Sequence, residues 1–166
     1  MPTATTSVWR PRTARGCSLA AAALFISLAA FELALAAGAP WGKAAWGGGQ
    51  ANLNLGLRMA SVASAALDVG FALVLARRGG HRIWAPLPQR WLPAAVCILA
   101  AYSALGTMLN AASHSPVERA LMVPTSLSLA VLCACVAVSG DKKEPRSNSL
   151  AAMSDDRAQR APEGAR

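Results

Sequence analysis

The sequence predicts an all-α membrane protein, with four transmembrane helices in an up-down-up-down bundle and both termini in the cytoplasm. Three observations carry that reading. Of the 166 residues, 54% are apolar and 14% charged, where soluble domains average about 45–50% and about 25%; mean hydropathy is +0.36. The charges are also clustered, so that long uncharged stretches alternate with short basic ones, whereas a soluble helix carries charge on one face of every turn. Finally, the basic residues sort by side.

Residues 1–16, with Arg10, Arg12 and Arg15, form a basic arm. The transmembrane domain spans 17–139, with helices expected over 17–37, 57–76, 91–113 and 116–139. Each has about the twenty residues needed to cross a hydrocarbon core of about 30 Å. The runs are rich in Ala and Leu without alternation of period two, which excludes barrel strands. The fourth helix has a start signal in "SPVE": Ser115 as N-cap, Pro116 as first helical residue and Glu118 as the returning acid of a capping box. Pro124 is expected to kink that helix and free the carbonyl of Ala120. Residues 140–166, rich in charge, Ser, Ala and Pro, are expected to be a disordered cytoplasmic tail.

Thirteen of the 16 basic residues fall on one side: the arm, Arg77, Arg78, Arg82 and Arg90 of the second connection, and six in the tail. Only Lys43, Arg58 and Arg119 lie opposite, so the positive-inside rule places both termini in the cytoplasm of a bacterial inner membrane. Net charge of +8 is therefore a topology signal. A nucleic-acid partner is not expected, because no compact folded domain presents those charges. Trp41 and Trp46 flank the outer ends of the first two helices and Trp84 and Trp91 the inner ends of the second two, as an aromatic belt requires. The run from Leu19 to Phe31 followed by Ala34-Leu35-Ala36 also fits a secretory signal. The helix is expected to be retained, since its removal would strip a partner from the bundle.

Cys17, Cys97, Cys133 and Cys135 lie in or near the cytoplasmic half and read as inert apolar thiols. Cys133 and Cys135 diverge by about 200° on a helix and cannot pinch one metal. Neither His81, in a basic loop, nor His114, at a helix end, suggests haem ligation. No metal, cofactor or catalytic residue is assigned, because no nucleophile with a base, metal-ligand spacing or phosphate-cradling glycine loop is present. The chain is expected not to be an enzyme.

Polar side chains in lipid should turn toward neighbouring helices. Ser61, Ser64 and Asp68 share a face of the second helix with Arg58; Ser103, Gly106, Thr107, Asn110 and Ser113 share one on the third; Thr125 and Ser128 fall near the Glu118 face of the fourth. Glu32 is the one strongly polar mid-span group of the first helix. It lies about 9 Å from the outer end and Asp68 about 16 Å, at about 1.5 Å per residue. Glu32, Arg58, Asp68, Asn110 and Arg119 thus form a candidate intramembrane polar cluster in which Glu32 pairs with Arg58 or Arg119, while Asp68, without a basic neighbour at its level, is held as a neutral acid.

Two functions fit. In the first, the bundle is a non-enzymatic scaffold, regulatory or lipid-associated module whose polar groups are clasps. In the second it is a small proton- or cation-coupled transporter using Glu32 and Asp68. Expected partners are membrane lipids and either a second copy of the chain or another membrane protein. The blocks "GAPWGKAAWGG", "LRMASVAS" and "NAASHSPVERALMVP" resemble a group of small bacterial four-helix membrane proteins. That resemblance implies the same topology and carries no activity or catalytic residue.

Overall fold

The computed structural model describes residues 11–139; the expected tail and the first ten residues of the arm lie outside them. Four helices follow in order: α1 Pro11–Ala37, α2 Leu55–Arg78, α3 Leu92–Ala111 and α4 Pro116–Ser139. Their most apolar 18-residue windows have mean hydropathies of 1.8 to 2.2, yet only 22–33% of each window is buried inside the protein. Helices this apolar with so little internal burial need another apolar medium around them. The chain is a multi-pass membrane protein.

Local chemistry sets the ends. α1 and α2 both stop in Schellman motifs: the Ala39 N–H donates to the Ala34 carbonyl at 2.9 Å and the His81 N–H to Ala76 at 3.2 Å. The intervening Gly38 and Gly80 take φ of +104° and +88°, a region that disfavours any side chain. α2 starts on Asn54, whose Oδ1 accepts the Leu57 N–H at 3.0 Å, a good N-cap.

Three details differ at the helix ends. The described part of α1 is already helical at Pro11, upstream of Cys17. α3 stops at Ala111, short of Ser113, whose hydroxyl is needed in the turn before α4. The capping box is half formed: Ser115 Oγ accepts the Glu118 N–H at 3.3 Å, while the Ser115 N–H goes to Ser113 Oγ at 3.1 Å. Ser113 has replaced Glu118 in the returning bond and freed the carboxylate for other partners.

The helices pack as adjacent pairs, α1 with α2 and α3 with α4; α1 and α4 join the pairs, and α2 touches α3 only sparsely. The main core, at the end carrying the 79–91 connection, is built from Phe25, Leu75, Val96, Leu129 and Cys133 among others. A smaller one, Leu35, Ala45 and Leu53 with Phe31 and Leu57, closes the opposite end. Phe71 bridges helices by edge-on contacts with Phe25 (centroids 5.5 Å apart) and Tyr102 (5.9 Å). The polar groups collect between the two cores.

Candidate functional site

Between the cores lies a cavity of about 420 Å³ to which every helix contributes: Glu32 from α1, Ser64 and Asp68 from α2, Tyr102, Gly106 and Asn110 from α3, and Glu118, Met122 and Ser126 from α4. Trp46, from the 41–54 connection, lines it as well. Of the chain's eight acidic residues, Glu32, Asp68 and Glu118 are the three that fall within residues 11–139. All three line this one cavity, and no Lys or Arg does. The difference in depth counted along the sequence does not separate Glu32 from Asp68, because the cavity is long enough to reach both.

The expected ion pair is replaced. Arg58 Nε donates to the Ala36 carbonyl at 2.7 Å, and its guanidinium covers Gly38. Ala36 is in the last turn of α1, where carbonyls have lost their helical partners and the macrodipole favours a cation. Arg58 therefore caps α1 and leaves Glu32 to other neighbours. Arg119 is exposed, and it does not line the cavity. Asn110 does, donating through Nδ2 to Ser126 Oγ at 3.4 Å. Of the five residues grouped from sequence, the structure brings together Glu32, Asp68 and Asn110, and sets Arg58 and Arg119 apart.

Glu118 serves the mouth. Its Oε1 accepts the Gly47 N–H at 3.2 Å, its Oε2 accepts the Ser113 hydroxyl, and the side chain is 6% exposed. Ser115 Oγ also donates to the Lys43 carbonyl at 2.6 Å. These bonds tie the 41–54 connection to the start of α4. The tie works because consecutive residues Trp46, Gly47 and Gly48 all have positive φ, at 55°, 79° and 68°. A Cβ on Gly48 would stand 2.2 Å from Ser115 Cβ. Trp46 is the only non-glycine residue with positive φ among those described, a costly conformation for a bulky side chain. It turns the indole inward, where Nε1 donates to Ser61 Oγ at 3.1 Å. Trp46 is thus a wall of the cavity mouth, while 41% of it stays exposed.

Glu32 is the group left wanting: its Oε2 is buried without a hydrogen-bond partner. On α4 the lining residues are Glu118, Met122 and Ser126, spaced four apart, with the two polar ones at the ends, and the expected stripe through Thr125 and Ser128 is displaced to the flank. Those two hydroxyls donate to the carbonyls of Leu121 and Pro124, both at 2.7 Å, which satisfies them without a neighbouring helix. Sequence reasoning missed Trp46, Tyr102 and Ser126 as lining residues. The four-residue spacing from Glu118 was the available signal for Ser126.

Among the described residues, no three His, Cys, Asp or Glu side chains converge as a metal site. The chain matches no protein-family model, no curated protein and no solved structure. What stands is a small four-span membrane protein with three acids around one cavity.

Proposed function

We propose that the protein binds a monovalent organic cation in this cavity, with Glu32 and Asp68 as the charge-matching groups of a small proton- or cation-coupled transporter. The observation that carries the reading is the gathering of all the acids of residues 11–139, and of no basic residue, around one space within the bundle. An acid at mid-membrane costs about 2.5–3.5 kcal/mol, and a bound cation offsets that cost. Size argues for a molecule over a bare ion: the cavity's 420 Å³ compares with about 30 Å³ for one water and about 300–1,000 Å³ for small-molecule sites. The aromatic faces of Trp46 and Tyr102 suit a quaternary or protonated amine. Positive-inside sorting supports a bacterial inner membrane, with the cavity toward the outer leaflet.

The scaffold reading keeps one supporting observation, the tying of the 41–54 connection by Glu118. The two readings part on one experiment: titration of tetraphenylphosphonium into the full-length protein in lipid nanodiscs, followed by tryptophan fluorescence. Glu32→Gln and Asp68→Asn each weaken binding by about tenfold or more, whereas Arg58→Gln, which removes a helix cap, leaves it unchanged. Equal affinity in all three variants, with lower thermal stability in Glu32→Gln and Asp68→Asn, would assign the acids to a clasp instead.

A further inference from the structure

At the opposite end of the bundle the chain builds a second and chemically inverse pocket. The 79–91 connection folds back over the end of α2: the Gly80 N–H donates to the Arg77 carbonyl at 3.1 Å and the Ile83 N–H to His81 at 2.9 Å, while Arg77 Nη1 donates to the Ile83 carbonyl at 2.7 Å. The fold-back leaves an open surface pocket of about 550 Å³, lined by Arg77, His81, Arg82, Trp84 and Gln89 along the turn at Gly80. Arg15 of α1 reaches the same turn, donating through Nη2 to the Gly80 carbonyl at 3.4 Å.

Among the lining residues His81 has its Nε2 buried without a hydrogen-bond partner, and so are Nε and Nη2 of Arg78, which follows Arg77 in the chain and does not line the pocket; buried polar groups are nearly always satisfied. No acid of residues 11–139 serves this end, since all three line the other cavity. Depth is indicated by two tryptophans beside the pocket, Trp84 at 72% and Trp91 at 54% exposed. Exposed Trp at the end of a spanning bundle sits at headgroup level, so the pocket opens in the layer that holds lipid phosphates.

We propose that this pocket is a phosphate site that holds the headgroup of an anionic lipid. Guanidinium forks match phosphate oxygens in bidentate geometry, His81 and Gln89 add shorter-range donors, and basic pockets beside helix ends are a recurrent form of lipid recognition. The inference is independent of the cation reading and uses none of its residues.

Full-length protein is exchanged into mixed micelles of phosphatidylglycerol and phosphatidylcholine, and retained lipid is measured by native mass spectrometry. Phosphatidylglycerol is retained selectively. Arg82→Gln lowers its retention by about tenfold, the weight of a charge-assisted hydrogen bond added to the surface attraction, and His81→Gln lowers it by the loss of one hydrogen bond. Arg90→Gln, which removes a charge from the same connection outside the pocket, has the smaller effect of surface attraction alone. Arg82 is exposed, so its replacement should leave helix content intact by circular dichroism. Equal losses in Arg82→Gln and Arg90→Gln would overturn the pocket in favour of diffuse attraction. Inorganic phosphate is titrated in parallel by phosphorus NMR. Its binding with the same dependence on Arg82, without lipid selectivity, would overturn the lipid assignment and point to a soluble phosphate compound.

Discussion

Glu118→Ala lowers the stability of the bundle by about 3 kcal/mol, and Glu118→Gln by about half as much. The carboxyl group joins three pieces of chain: α4, which carries it, the Gly47 N–H of the 41–54 connection, and the Ser113 hydroxyl of the preceding turn. Alanine leaves both donors without a partner in a site where Glu118 is 6% exposed, and a buried unpaired donor costs about 1–3 kcal/mol. Glutamine keeps one acceptor oxygen. Thermal unfolding in detergent, followed by helical circular dichroism, measures the order of the three proteins. A loss below about 1 kcal/mol in the alanine variant would mean that the connection is held by its own backbone and that Glu118 is free to take part in ligand binding.

Gly48→Val costs more, about 4 kcal/mol, from two separable sources. One is conformational: at φ of +68° a β-branched residue meets its own backbone, at about 1–2 kcal/mol. The other is steric, because the new Cβ falls 2.2 Å from Ser115 Cβ and 2.7 Å from Ser115 Oγ; overpacking of this kind costs about 1–3 kcal/mol. Adding Ser115→Gly should recover part of the steric share and none of the conformational one. Full recovery in the double variant would show that the left-handed backbone is not required there, and no loss in the single variant would show that the connection does not approach α4 as described.

The fold was legible because membrane helices declare themselves through length and uninterrupted apolarity, which depend on no tertiary detail. The start of α4 was legible for a similar reason, since Ser115, Pro116 and Glu118 act within one turn. The site was legible only in part. Asp68, Asn110 and Glu32 could be picked out as polar groups that lipid would not accept, but their partners depended on which end group competed for them. Arg58 lies close in depth to Glu32 and closer still to the unsatisfied carbonyls of α1, a competition that counting residues along a helix does not weigh. Trp46 reads from sequence as a belt residue because it flanks a helix end, and that position does not reveal that it also lines the cavity. Its turn toward the cavity follows from the run of positive φ at residues 46–48, where local preference disfavours a bulky residue.

The sparse contact between α2 and α3 has a thermodynamic meaning for any occupant of the acidic cavity. Asp68 and Ser64 stand on one side of that seam and Tyr102, 57% exposed, on the other, so on the cation-binding reading the cavity would be reached from the face that a bilayer covers. A ligand arriving that way first dissolves in the bilayer, and the reservoir from which it binds is the lipid phase. Its apparent affinity in water is then the product of a partition coefficient and an intrinsic binding constant. Ranking ligands by affinity alone would rank them largely by oiliness; the selectivity that belongs to the acidic groups emerges once each is divided by its own partitioning.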